Sequence, residues 1–250
     1  MAIGEPDLNC KETNLLEFPV YDVAESKLIN PIEVLREELL ANKGQQFFAN
    51  DNISELMSPE MLEFMEEEAT KLLQKLLQVL LIDTENDHNT KNTARRIAKM
   101  YVREVMYGRY QPMPSITDFP NAKNLDQLYT VGPITVRSLC SHHFAPILGK
   151  CFIGVLPGNR VIGLSKFNRI VDWIMARPQI QEEATIQIAD VLEKAMSPRG
   201  LAVVVIANHG CLSMRGVKEA DTKMTTSVMR GALREDVCKQ EFLSFVQSQS

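Results

Sequence analysis

YTVGPITVRSLCSHHFAPILGKCFIGVL, residues 129–156, is the stretch whose reading decides the fold. Ile134, Val136 and Leu139 alternate toward Cys140 as in a half-buried strand, and Lys150 to Leu156 reads as a second strand. Pro157-Gly158-Asn159 is a turn signal, after which Val161 to Leu164 returns as a short strand. Ser165 is placed to cap a helix carrying Phe167, Ile170, Val171 and Ile174, and a second helix is expected from Gln179 to Met196. Leu201 to Ala207 is a strongly apolar strand, Ser213 to Val217 and Met224 to Arg230 read as further strands, and Val237 to Gln247 as a closing helix. This order predicts an α+β fold with a mostly antiparallel sheet and packed helices.

Upstream the pattern is helical. Residues 1–28 have no sustained period and read as a flexible N-terminal arm. Residues 29–110 form a helical N-terminal region, and 111–250 the main domain, with the Pro-rich loop Gln111 to Pro120 as boundary. Pro31 suits a first helical turn, with Ile32, Val34, Leu35, Leu39 and Leu40 on one face; residues 44–56 read as a loop. Ser58-Pro59-Glu60 predicts an N-cap for a helix to about Leu81, whose stripe from Met61 and Phe64 to Leu77 and Leu80 suits core or subunit packing. A third helix is expected from Thr90 to Tyr107, ending before Gly108 and carrying Arg96 and Lys99 on one face.

Composition narrows the function classes. A net charge of −5 argues against a nucleic-acid binder that works by bulk electrostatics, though not against a local basic pocket. No apolar run approaches the roughly 20 residues that span a bilayer, so no membrane association is expected. Five cysteines, an odd number, and no visible secretory signal read as reduced thiols in a cytoplasm. Neither a P-loop nor a GxGxxG fingerprint is present.

The chemistry is concentrated. Three of the four histidines fall in Cys140-Ser141-His142-His143 and His209-Gly210-Cys211. Thiolate and imidazole together suit zinc. Cys140, His143 and Cys211 are a natural set of three, leaving an open position. A closed structural site completed by His142 or His209 is equally compatible with the spacing. A histidine beside an open metal position is well placed for acid–base work. Ser165 and Lys166 lie at a helix N-terminus with Arg169 one turn on, and Arg215 follows Cys211; together these suit a phosphorylated ligand. Gln181 beside Glu182 can read a purine edge, since a carboxylate accepts from both N1–H and the 2-amino group of guanine.

With these residues in view, the chain closely resembles the GTP cyclohydrolase I family. The matching segments are Thr93 to Tyr101, Leu139 to Gly149, Ile162 to Arg169, Gln179 to Glu182, His209 to Gly216 and Thr225 to Asp236. The resemblance implies the tunnelling (T-) fold over residues 111–250 and Zn2+ on Cys140, His143 and Cys211. It implies that water adds at C8 of GTP, that His142 and His209 shuttle protons as the ring opens and formate leaves, and that Glu182 with Gln181 reads guanine. Ser165 would assist ribose opening and rearrangement. Lys166, Arg169 and Arg215 would hold triphosphate, with Arg96 and Lys99 from a neighbouring subunit. The product would be 7,8-dihydroneopterin triphosphate, as in tetrahydrofolate and pterin synthesis, and the assembly a homodecamer of two pentamers. The chain departs from the family at Ala94, at Ser141 where Glu is usual, across Arg177 to Ile180, and at Glu183 where Arg is usual. Two other readings remain open. One is a divergent relative that only opens the purine ring or uses a modified purine nucleotide. The other is a zinc-stabilised, GTP-binding regulatory assembly without turnover.

Overall fold

The computed structural model describes residues 30–41 and 47–249; the N-terminal arm expected over 1–28 lies outside the described residues. Helix α1 (Pro31–Ala41) and helix α2 (Pro59–Val79) form where the sequence signals placed them. Ser58 caps α2 through its hydroxyl, which accepts from the Met61 amide at 3.1 Å, and Pro59 opens the helix, where its missing N–H costs no bond. Met61, Leu62 and Leu77 are buried, but Leu72, Leu76 and Leu80 of the expected stripe are exposed in the single chain, as is Val79 beside them.

The helix expected from Thr90 to Tyr107 is broken into three. Helix α3 (Thr93–Lys99) passes into a π-helical stretch, Met100–Val105, and after Met106 a short helix α4 (Tyr107–Tyr110) runs straight through Gly108. Gly108 is a spacer rather than a terminator: a Cβ there would lie 1.9 Å from the Trp173 carbonyl oxygen and 3.0 Å from that of Ala176. Gly108→Ala should therefore cost about 3 kcal/mol through overpacking against backbone that cannot move aside. A lowered denaturant midpoint at unchanged m-value is the expected reading; an unchanged midpoint would contradict the packing described.

Beside Gly108, Arg109 and Arg177 fasten the loop that leads into α2. Arg109 donates from Nη1 to the carbonyls of Ala49 and Asp51 and from Nη2 to that of Phe47. Arg177 donates to the carbonyls of Gly108 and Asn50 while stacking 3.9 Å over the Trp173 ring. Burial and the neighbouring Arg109 charge lower the Arg177 pKa to about 10, with Asp51 acting in the other direction.

The Pro-rich loop contains strand β1 (Asp118–Pro120), which the composition concealed. The main sheet follows in β2 (Tyr129–Cys140) and β3 (Pro146–Leu156), a hairpin whose pairs run from Tyr129↔Val155 to Leu139↔Pro146. A register shift between Val131 and Ile134 lets these two, three apart, face the same side. Strand β4 (Arg160–Ile162) pairs antiparallel with β1. Helix α5 (Leu164–Met175) begins one residue before the expected Ser165 cap: Gly163 is the N-cap, and Ser165 lies inside the first turn.

Residues Pro178–Gln179, expected to start a helix, instead form strand β5, parallel to the end of β2 through Leu139↔Pro178 and Cys140↔Gln179. Proline is tolerated there because β5 is an edge of the sheet. Helix α6 (Gln181–Met196) then leads to strand β6 (Gly200–His209). The expected strand Ser213–Val217 is absent. After His209 the chain coils into helix α7 (Gly210–Ser213), closed by the Met214 amide on the Gly210 carbonyl at 2.9 Å. Strand β7 (Met224–Gly231) and helix α8 (Asp236–Gln249) complete the chain.

The sheet order is β5-β2-β3-β6-β7, with every pair but β5–β2 antiparallel. Strand alternation divides the core. Val136, Cys151, Ile153, Leu201, Val203 and Val205 point toward α5 and α6, whereas Phe152, Ala202 and Val204 point toward Phe242 and Val246 of α8. Strand β6 is buried on both faces, which explains its unbroken apolar run. No helix among the described residues is long and apolar enough to cross a membrane.

Candidate active site and metal centre

The β2–β3 hairpin turns tightly over Ser141–Ala145. The Cys140 amide donates to the Ala145 carbonyl at 2.8 Å and the Phe144 amide to the Cys140 carbonyl at 2.8 Å. Phe144 adopts φ +51, the left-handed geometry the turn requires, and its ring meets Tyr101 of the π-helical stretch at 6.1 Å. The Ser141 amide donates to the Gln179 carbonyl at 3.1 Å, which ties the turn to β5. Cys140 is thus a buried strand end, with His142 and His143 exposed just beyond it.

The second half of the site comes from β6. Ile147↔His209 is the last pair between β3 and β6, so His209 ends beside the hairpin mouth. Gly210 allows α7 to approach: a Cβ there would lie 2.9 Å from the Pro146 carbonyl oxygen. Cys211 follows, and one ligand atom from each of Cys140, His143 and Cys211 lies within 4.8 Å of the others. Two sulfurs and an imidazole nitrogen at this separation fit a soft or borderline divalent metal with a position to spare.

The groups around this centre are held asymmetrically. His142 Nδ1 is 3.7 Å from Cys140 Sγ. Arg215 Nη1 is 2.9 Å from His143 Nε2. His209 Nε2 is 2.7 Å from Gln181 Oε1, and burial lowers the His209 pKa while the nearby Glu182 charge raises it. Burial, together with a hydrogen bond and charge coupling to Cys140, raises the Cys211 thiol above its usual pKa.

A metal must displace the proton from a thiol whose pKa is raised, so binding tightens as pH rises toward that pKa. The apparent zinc affinity should fall by about tenfold per unit of acidification for the Cys211 proton alone. Competition with a chelator at pH 8, 7 and 6 measures it; a pH-independent affinity would contradict thiol ligation.

The sequence-predicted residues fall into three groups. Cys140, His142, His143, Cys211 and Arg215 are brought together by the three-donor group and the contacts above, while His209, two residues before Cys211, meets Gln181 and feels the Glu182 charge. Ser165, Lys166 and Arg169 stand together on the first turns of α5, with Lys166 Nζ donating to the Ser115 carbonyl at 2.9 Å. Arg96 and Lys99 project from α3 and line a cavity of about 320 Å³ with Glu66, Asn92 and Arg95.

Gln181 departs from its expected role beside guanine. It is 1% exposed, and its amide bonds within the protein: Nε2 to the carbonyls of Val205 and Met224, both at 3.1 Å, and Oε1 to His209. A signal for this was present in the sequence. Gln181 is in phase with Thr185, Ile188 and Leu192, the buried stripe of α6, so it faces the core rather than solvent. Glu183, where the family usually has Arg, accepts from Asn50 Nδ2 at 2.6 Å, a contact from the loop before α2.

Fold and site together define an α+β protein whose antiparallel sheet carries a Cys/His/Cys centre at the ends of its strands. A family model described as GTP cyclohydrolase I matches residues 69–247. GTP cyclohydrolase 1 of Flavobacterium johnsoniae is 34% identical over 216 residues, covering 84% of this chain and 96% of that protein. The same-named proteins of an Enterobacter species and of Wigglesworthia glossinidia brevipalpis are 40% and 38% identical, over 69% and 70% of this chain and 78% and 81% of their own. The chain belongs to the GTP cyclohydrolase I family, and its fold is the T-fold. A solved archaeosine synthase QueF-Like structure aligns over 48% of this chain at 14% identity with a TM-score of 0.32, a likeness too slight to argue from.

Proposed function

We propose that this chain, a GTP cyclohydrolase by family, hydrolyses GTP at C8, releases formate, and recloses the rearranged product to 7,8-dihydroneopterin triphosphate with zinc on Cys140, His143 and Cys211. The observation that carries the reading is the convergence of those three donors from two distant segments, with His142 beside Cys140 and His209 two residues before Cys211 left over. Zinc held there would lower the pKa of a water to about 7 and make a hydroxide-like nucleophile available near neutral pH. His142 and His209 exchange protons with the opening imidazole ring and the departing formyl group. Glu182, exposed at the start of α6, accepts from guanine N1–H and the 2-amino group. Ser165 assists ribose opening, while Lys166 and Arg169 meet the triphosphate at the start of α5.

Arg215 joins them by simple donor chemistry. A neutral imidazole that gives one nitrogen to a metal carries its proton on the other, and a guanidinium is a donor only. Arg215 therefore cannot keep its bond to His143 once that ring is a ligand, and its charge becomes available to a phosphate.

Arg96 and Lys99 reach the triphosphate of a neighbouring subunit in a homodecamer of two pentamers. The exposed apolar side chains Leu72, Leu76, Val79 and Leu80 of α2, in a stripe suited to subunit packing, support an assembled state. The work is cytoplasmic and serves pterin or tetrahydrofolate synthesis.

Incubating the zinc-loaded protein with GTP and following formate together with pterin fluorescence tests this directly. Both products in equal amounts are expected. Formate without pterin would replace the reading by simple ring opening, and GTP binding with neither product would overturn it.

A further inference from the structure

Gln181, the first residue of α6, is a polar side chain almost wholly buried beside the site. It reaches between β6 and β7, whose pairing there is Val205↔Thr226 and Ala207↔Met224. Both the Val205 and Met224 carbonyl oxygens lie 3.1 Å from its Nε2. A carbonyl oxygen can only accept, so the amide nitrogen must face them; the flipped amide would set oxygen against two oxygens.

The hydroxyls nearby agree on direction. Thr185 Oγ1 donates to the Gln181 carbonyl at 2.7 Å, so it accepts from Thr226 Oγ1 at 2.6 Å, and Thr226 in turn accepts from Gln181 Nε2 at 3.2 Å. The orientation of this amide is therefore fixed by groups that have no part in ligand binding. Its Oε1 is left facing His209 Nε2 at 2.7 Å, and an amide oxygen demands a donor.

We infer that Gln181 is a positioning residue: it holds the proton of neutral His209 on Nε2 and leaves the Nδ1 lone pair as the ring atom that exchanges protons with substrate. This is the arrangement by which a fixed acceptor sets a histidine tautomer. It rests on the assignment of His209 to proton transfer.

Solid-state NMR of the protein labelled with 15N and 13C at histidine, zinc-loaded and at pH 8, reads the tautomer; the chain has only four histidines, and His209→Asn identifies the signal. The inference expects a protonated nitrogen bonded to Cδ2 and an unprotonated Nδ1. The isosteric Gln181→Met should mix the two tautomers and lower kcat at least tenfold, with KM for GTP changed less than twofold. A wild-type ring protonated on Nδ1 overturns the inference whether or not the variant folds. So does a folded Gln181→Met that keeps the Nε2–H tautomer or full kcat. If His209→Asn retains full turnover while the tautomer is as expected, the acid–base assignment of His209 fails and the positioning geometry stands.

Discussion

Cys211→Ala is expected to yield a folded protein without bound zinc and with formate release at background. Cys211 is half-buried at the start of α7 and packs only against the margin of the main core, so losing its sulfur removes little apolar contact. The destabilisation should stay at about 1 kcal/mol, the middle of the range for single substitutions. The metal site loses far more. Cys211 is the only ligand of the three from outside the β2–β3 hairpin, and without it Cys140 and His143 are two donors on one turn. Elemental analysis and a formate assay measure both effects. Full zinc content with full turnover would remove Cys211 from the ligand set.

His142→Ala should behave in the opposite way. The ring is exposed and is not one of the three convergent donors Cys140, His143 and Cys211, so zinc content is expected to remain at one per chain. Turnover should fall by about 10²–10⁴, the usual contribution of a positioned acid or base. Because the loss is in proton transfer, kcat carries it and KM for GTP changes little. Steady-state kinetics on the zinc-loaded variant separates the two constants. A large rise in KM at unchanged kcat would make His142 a binding group instead.

Where periodicity was strong, the sequence was a reliable guide to the fold. The Ser58 cap and Pro59 opening of α2, the alternating face of β2, the doubly apolar β6 and the stripe of α5 are local patterns that translate directly into elements. The misreadings lie where tertiary contacts override local preference. Gly108 reads as a helix stop but is a close-packing spacer against Trp173. Pro178-Gln179 reads as a helix start but pairs with the end of β2. Ser213–Val217 reads as a strand, yet the approach of Gly210 to Pro146 coils the chain immediately after His209.

The site was legible in its donors and less so in its supports. Thiols and imidazoles are rare enough that their clustering announced a metal centre before any geometry. Gln181 was harder to read, because glutamine beside glutamate at a helix start is usually solvated. Only its phase with Thr185, Ile188 and Leu192 marks it as a core position. The loop held by Arg109 and Arg177, and the Asn50–Glu183 contact it brings to α6, depend on pairings across the chain that no local pattern encodes.

The central claim is that five soft donors divide into three metal ligands and two proton carriers. Zinc content of His142→Ala and His143→Ala, purified and measured side by side, tests it most directly. The division predicts one zinc per chain in His142→Ala and none in His143→Ala. Zinc retained by His143→Ala and lost from His142→Ala would contradict it.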